Sequence, residues 1–181
     1  MKSSNRFFSW PGTVVLCGRL ILTVLLFTAC TEPPDMSSVD PVNWANRRVE
    51  LPADSLHRGT TYLSVYSHIY SQTEHRTHDL TATVSMRNVN QHDTVFIDRA
   101  EYFDTHGQSI RSYFNHSIIL RPMETVEIVI DQQDQSGGSG ANFMFDWHIR
   151  PGSAEPLFEG VMISTYGQQG LSFTTQGQRV E

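Results

Sequence analysis

The chain has 181 residues, a formal charge of −6 and two cysteines. That length suits one domain, or one domain with a tail. Two thiols cannot build a disulfide framework or a four-thiolate zinc site, and the acidic balance excludes a nucleic-acid binder, whose phosphate contacts need clustered Lys and Arg.

The first charged residues are all positive: Lys2, Arg6 and Arg19, with no acid before position 30. An apolar run from Leu20 to Phe27 follows and ends in Thr28-Ala29-Cys30. A basic start, a short apolar stretch and small residues before a cut site describe a secretory signal. The cysteine directly after Ala29 gives it the form of a bacterial lipobox. On this reading residues 1–29 are a lipoprotein signal peptide and Cys30 is the first mature residue, its sulfur carrying a diacylglycerol. An uncleaved anchor fits less well, because Arg19 interrupts the stretch 14–29 and a span needs about 20 apolar residues. Cleavage before Cys17 would have to follow the bulky Leu16.

Loss of residues 1–29 leaves ten arginines against nineteen acidic residues, a balance of −9. Such a body does not bind anionic headgroups by charge, so membrane contact is expected through the acyl chains on Cys30. Thr31, not Asp, follows that cysteine, which points to the outer membrane if the cell has one. Residues 30–58 hold Pro33, Pro34, Pro41 and Pro52 without sustained periodicity and read as a tether reaching ~30 Å. Val49 and Leu51 could add a short edge strand at its end.

From Thr60 onward the period becomes 2. Leu63, Val65 and Ile69 share one face of a run, opposite Tyr62, Tyr66, His68 and Tyr70. Leu80, Ala82, Val84 and Met86 alternate with Thr81, Thr83, Ser85 and Arg87, the pattern of a half-buried strand. Thr94–Phe103 is rich in Val, Ile and aromatics, and Asp104-Thr105-His106-Gly107 supplies a turn before Ser109–Phe114. Alternation recurs at Thr125–Asp131, Asn142–Arg150, Leu157–Thr165 and Leu171–Thr175. About eight short strands without an amphipathic helix predict an all-β domain over 59–181: an antiparallel β-sandwich, immunoglobulin-like in architecture.

Several blocks in order carry a resemblance. They are Val65-Tyr-Ser-His-Ile-Tyr70, Leu80-Thr-Ala-Thr-Val-Ser-Met-Arg-Asn88, Tyr102-Phe-Asp-Thr-His-Gly107, Gly137-Gly-Ser-Gly-Ala-Asn-Phe143 and Gly167-Gln-Gln-Gly-Leu-Ser-Phe173. Together they resemble a bacterial lipoprotein family known as domain of unknown function 3124. The resemblance runs from Tyr62 to Arg179 and implies a cell-envelope lipoprotein; it brings no activity with it.

Four features invite chemistry. The loop Gly137-Gly138-Ser139-Gly140-Ala141-Asn142 could gather backbone N–H groups around an anion, or it could simply be a flexible hairpin connection between the strands ending near Asp131 and starting near Asn142. Asp131 and Asp134 beside it would repel an anion. The same loop is similar to a nucleophile elbow around Ser139, but Ala141 replaces the last glycine and a strand, not a helix, follows. His75-x-x-His78, in what reads as a polar loop, is the one close histidine pair, and with His68 or His148 it could hold Zn or Cu, although no third ligand stands at a recognised spacing. Cys30, committed to lipid, is not available for blue copper. Gly167-Gln168-Gln169-Gly170 is similar to the glycine loop of an RNA-binding KH module but lacks its helices and basic flanks. Tyr62, Tyr66 and Tyr70 could form a wet contact patch or be covered by a sheet.

With no catalytic set and no cofactor motif, the first reading is a binding or structural module whose partner is an envelope protein or a glycan. A metal-binding protein and an extracytoplasmic hydrolase are the alternatives. Both glycine loops precede or follow an even number of strand traversals and so belong at one end of the sandwich. That end, with Ser139, Asn142 and Gln168, is where a ligand is expected.

Overall fold

Alternating apolar residues need two sheets to bury against each other, and the chain supplies them. A computed structural model describes residues 42–181; the signal segment and Cys30 lie outside the described residues. In chain order the strands begin with β1 (His57–Val65), β2 (His68–Ser71), β3 (Thr73–Asp79), β4 (Thr81–Arg87), β5 (Val95–Phe103) and β6 (Ser109–Ser112). They continue with β7 (Ile118–Leu120), β8 (Thr125–Ile130), β9 (Ala141–Ile149), β10 (Leu157–Tyr166), β11 (Gln169–Gln176) and β12 (Gln178–Arg179). Two single 3-10 turns, η1 (Trp44–Arg47) and η2 (Gly138–Gly140), are the only helical pieces among the described residues.

The larger sheet has the order β12-β1-β9-β5-β6, with β7 also paired to β5, and the smaller one the order β11-β10-β4-β8. Every ladder is antiparallel. The two sheets pack as an open sandwich, the fold class that the strand pattern predicts. β2 and β3 pair only with each other and form a separate arm.

Period 2 decides what is inside. On β9, Ala141, Phe143, Phe145, Trp147 and Ile149 are buried, while the residues between them are half-exposed. Leu63 and Val65 of β1 lie beside them in the same sheet, and Leu80 next to β4, Ala82, Val84 and Met86 of β4 and Phe158 of β10 fill the space facing them from the smaller sheet. Aromatic rings run through this core as a continuous stack. Tyr102 lies 4.9 Å from Phe143, Phe143 5.4 Å from Phe145, and Phe145 4.3 Å from Phe158 of the opposite sheet. Trp147 is buried because Gly59 stands against it: a Cβ there would lie 2.2 Å from the indole. Its Nε1 donates to Thr61 Oγ1 at 2.9 Å, which satisfies the one polar atom the ring brings inside.

The structure departs from the sequence reading in three places. The stretch read as tether is docked from Val42 onward: Trp44 packs 5.0 Å from Phe114, and Val49 N–H donates to Ser117 O at 3.0 Å. Arg48 bridges Ile118, so this segment lines the edge next to β7 without becoming a strand. The run 60–70 divides into β1 and β2, because the chain leaves the larger sheet after Val65. The polar stretch at His75 and His78 is strand β3 rather than loop, its hydrogen bonds supplied by β2.

Candidate functional site: the mouth between two hairpins

Ser67 marks where the chain turns out of the sandwich. Its N–H donates to Gly138 O at 3.0 Å and its carbonyl accepts from Leu80 N–H at 2.8 Å. Between those ties the chain extends the β2–β3 arm, which reverses at Gln72 with a φ of 66° and carries a bulge between Tyr70 and Ser71. Opposite the arm stands the β10–β11 hairpin, which reverses at Gly167 with a φ of 61°. A side chain is strained in that backbone region, so glycine suits the position.

A cleft of about 330 Å³ opens between the two hairpins. The arm contributes Ile69, Tyr70, Ser71 and His78; the hairpin contributes Ser164, Gln169, Gly170 and Leu171. Ile69 is half-buried against the core, whereas Tyr70 is 59% exposed and Leu171 38% exposed. The volume falls at the low end of small-ligand sites.

Both glycine loops border this arm: η2 touches β2, and Gln169 and Gly170 face it across the cleft. They therefore lie at one end of the sandwich, where the two strand traversals between them return the chain. The loops differ in character. The first is packed into the protein. Gly137 is buried beneath Tyr102, whose hydroxyl would lie 1.9 Å from a Cβ at position 137. Gly137 O accepts from Thr105 N–H at 3.1 Å and from Thr105 Oγ1 at 3.0 Å. Gly138 N–H donates to Gln135 O at 3.1 Å and Gly140 N–H to Thr105 Oγ1 at 3.0 Å. N–H groups engaged in this way do not converge on an anion. The loop joins β8 of the smaller sheet to β9 of the larger, so it is an inter-sheet crossing, not a hairpin.

The Tyr102 hydroxyl that rests on this crossing is 3.0 Å from Ser67 Oγ. Burial pushes the phenol up from 10.0 to about 12; the Ser67 hydrogen bond opposes the rise and the Asp134 carboxylate adds to it. Asp134 itself is held low. Burial alone would raise it, but the Ser136 hydroxyl and N–H and the Arg111 guanidinium, 3.0 Å away, outweigh that.

Ser139 sits half-buried in η2 and is followed by β9, so no nucleophile elbow forms around it. Asn142 is half-buried on β9, across from Ser64 and Phe103. Gln168 is exposed at the tip of the β10–β11 hairpin, next to the cleft. His75 is exposed at 83% beside Glu74, whereas His78 lines the cleft opposite Ile69. Among the described residues no three His, Cys, Asp or Glu side chains gather to hold a metal ion. Tyr62, Tyr66 and Tyr70 do not form one face: Tyr66 packs edge-on at 5.7 Å against Phe173, and only Tyr70 stands out in solvent.

A second polar cluster escaped the sequence reading. A bulge between Ile97 and Arg99 puts Asp98 and Arg99 on the outer face of the larger sheet. Asp98 accepts from Ser117 Oγ at 2.7 Å and lies 2.8 Å from His148 Nδ1. Arg99 Nε is 2.7 Å from Asp146, which also accepts from Thr60 Oγ1 at 2.8 Å. These pairs tie β1, β9 and β5 together across the sheet. The signal in the sequence was the adjacent charged pair Asp98-Arg99 directly after the apolar run Val95-Phe96-Ile97.

No curated protein matches the chain. Among solved structures, Thermotoga maritima 1070 is similar at a TM-score of 0.42 and 9% identity, over 66% of this chain and 92% of that one. The family described as "Protein of unknown function (DUF3124)" matches residues 58–180, from the second residue of β1 to just past β12. The match covers the sandwich, the arm and the cleft between the hairpins, and the chain belongs to this family.

Proposed function

We propose that this is a lipid-anchored cell-envelope protein whose β-sandwich is a binding module, working through the cleft at its mouth. The observation that carries the binding role is the cleft itself. Two hairpins extend beyond the packed core and leave Tyr70 and Leu171 exposed to solvent along the cleft that both line. A sandwich fills its inward faces with core, so what remains for recognition is loops, hairpins and outer faces. Support for the anchor comes from the sequence: a basic start, an apolar run and Ala29-Cys30, with Thr31 favouring the outer membrane of a diderm cell. Cys30 lipidated by two or three acyl chains gives stable membrane attachment.

Mass spectrometry of the protein purified from its own membranes tests the anchor. A diacylglyceryl or fully acylated Cys30 at the mature N-terminus is expected; an intact Met1, or cleavage elsewhere, overturns it. Fractionation tests the destination, since Thr31→Asp should move the protein from the outer to the inner membrane. Photo-crosslinkers at Gln168 and at Ser139 test the binding end. Adducts from position 168 that position 139 does not give would place the contact at the cleft rather than at the packed crossing.

A further inference from the structure

We infer that the cleft between the β2–β3 arm and the β10–β11 hairpin binds a neutral glycan, one or two uncharged sugar units of a longer chain. This deepens the binding-module reading and rests on it. The argument is chemical. None of the side chains lining the cleft is a carboxylate or a guanidinium, although the protein as a whole is acidic. An ionised ligand would be partly desolvated there without a counter-charge, which is unfavourable. A purely apolar ligand is disfavoured for the opposite reason. It would strip water from the Ser71 and Ser164 hydroxyls and the Gln169 amide and give nothing back.

What those three groups share is the ability both to donate and to accept a hydrogen bond. Sugar hydroxyls have the same dual character, so each can be satisfied in either direction. Tyr70 supplies the remaining element. Its ring is 59% exposed at the cleft wall and offers a flat apolar face to the C–H face of a pyranose, with its hydroxyl left in water. Leu171, across the cleft, closes the apolar side. A space of about 330 Å³ suits a small ligand or the tip of a chain, whereas a protein partner would need roughly 800 Å² of surface from each side.

Full-length protein in detergent micelles, titrated with tetramers of N-acetylglucosamine, of α-1,4-glucose and of β-1,4-glucose, provides the test. Saturation-transfer NMR and calorimetry are the readouts. At least one tetramer is expected to bind saturably, with Tyr70→Ala and Gln169→Ala each weakening it roughly tenfold and leaving the melting curve unchanged. Val129→Ala, on the outer face of the smaller sheet, should leave affinity unaltered. Absence of saturable binding by all three tetramers overturns the proposal, as does undiminished affinity in Tyr70→Ala. A protein crosslinked at position 70 without sugar binding also overturns the glycan and leaves the binding module standing. A non-acylated Cys30, by contrast, would sink the anchor while leaving these titrations untouched.

Discussion

At Gly137 the difference between a hydrogen and a methyl group governs how the two sheets are joined. Tyr102 needs the room a Cβ would take, and Thr105 ties the carbonyl down on the other side. Gly137→Ala must therefore displace either the phenol or the crossing, an overpacking change expected to remove about 1–3 kcal/mol. Urea unfolding followed by circular dichroism measures it, and an unchanged midpoint would show that the crossing yields freely. The buried phenol adds a pH signature. Its folded value of about 12 exceeds the ordinary 10.0, so the neutral phenol is the form that the fold favours. The stability that it confers is complete below pH 10 and is lost as the pH rises toward 12. The unfolding midpoint should fall across that window, and Tyr102→Phe should flatten the fall. If the wild type and the variant decline in parallel, another group is responsible.

At the scale of elements, two carboxylates work at the other end of the pH range. Glu124 accepts from Arg121 N–H at 2.7 Å and pairs with Arg47 of η1 at 2.9 Å. Burial alone would raise its carboxyl, but that N–H and the Arg47 guanidinium prevail and hold it below its ordinary value; Asp134 is held low by Ser136 and Arg111. A lowered folded value means that the stabilisation is present above the unfolded values of 4.5 and 3.8 and is lost as the pH falls through the depressed ones. Stability should therefore decline below about pH 4.5, less steeply in Glu124→Gln. Equal slopes in the two proteins would remove Glu124 from the account. Both carboxylates lie in loops or turns that periodicity does not reach, which shows where sequence reading stops. β4, β8, β9 and β10 were legible because one face of each is buried, and burial is what writes a period of 2. β3 was not, since an arm that buries little has no apolar residues to alternate; its pairing with β2 replaces them. The β8–β9 link could be taken for a hairpin because sequence spacing does not say which sheet the next strand joins. Of the site, the glycine turn at 167–170 was legible as a chain reversal. The cleft was not, because it arises from two hairpins distant in sequence meeting across a gap.

Across the whole molecule, the open edge of the larger sheet is the exposed liability of a sandwich, and the segment 42–49 covers part of it. Trp44 packs against Phe114 at 5.0 Å and Tyr113 at 6.5 Å. Trp44 O lies 3.2 Å from His116 Nε2, and Arg47 reaches Ile119 O and Glu124. The family match begins only at residue 58, yet these contacts make the strap part of the fold. Its composition, with prolines around it and no period, hid this, because one tryptophan and a few backbone hydrogen bonds attach it rather than a repeating face. Chains beginning at residue 42 should melt at the same temperature as chains beginning at Cys30, with the thiol replaced by Ser in the longer one. Chains beginning at residue 50 should lose about 1–3 kcal/mol, the loss expected for removing a half-buried tryptophan and uncovering its neighbours. For a domain of this size that corresponds to a fall of roughly 2–10 °C in Tm. Trp44→Ala in the full-length protein should reproduce most of the loss. It should also raise the exchange rate of the Val49 amide, which donates to Ser117. Identical melting of the chains starting at 42 and 50 would return residues 42–49 to the tether, and the edge at β7 would then have to be protected by something else.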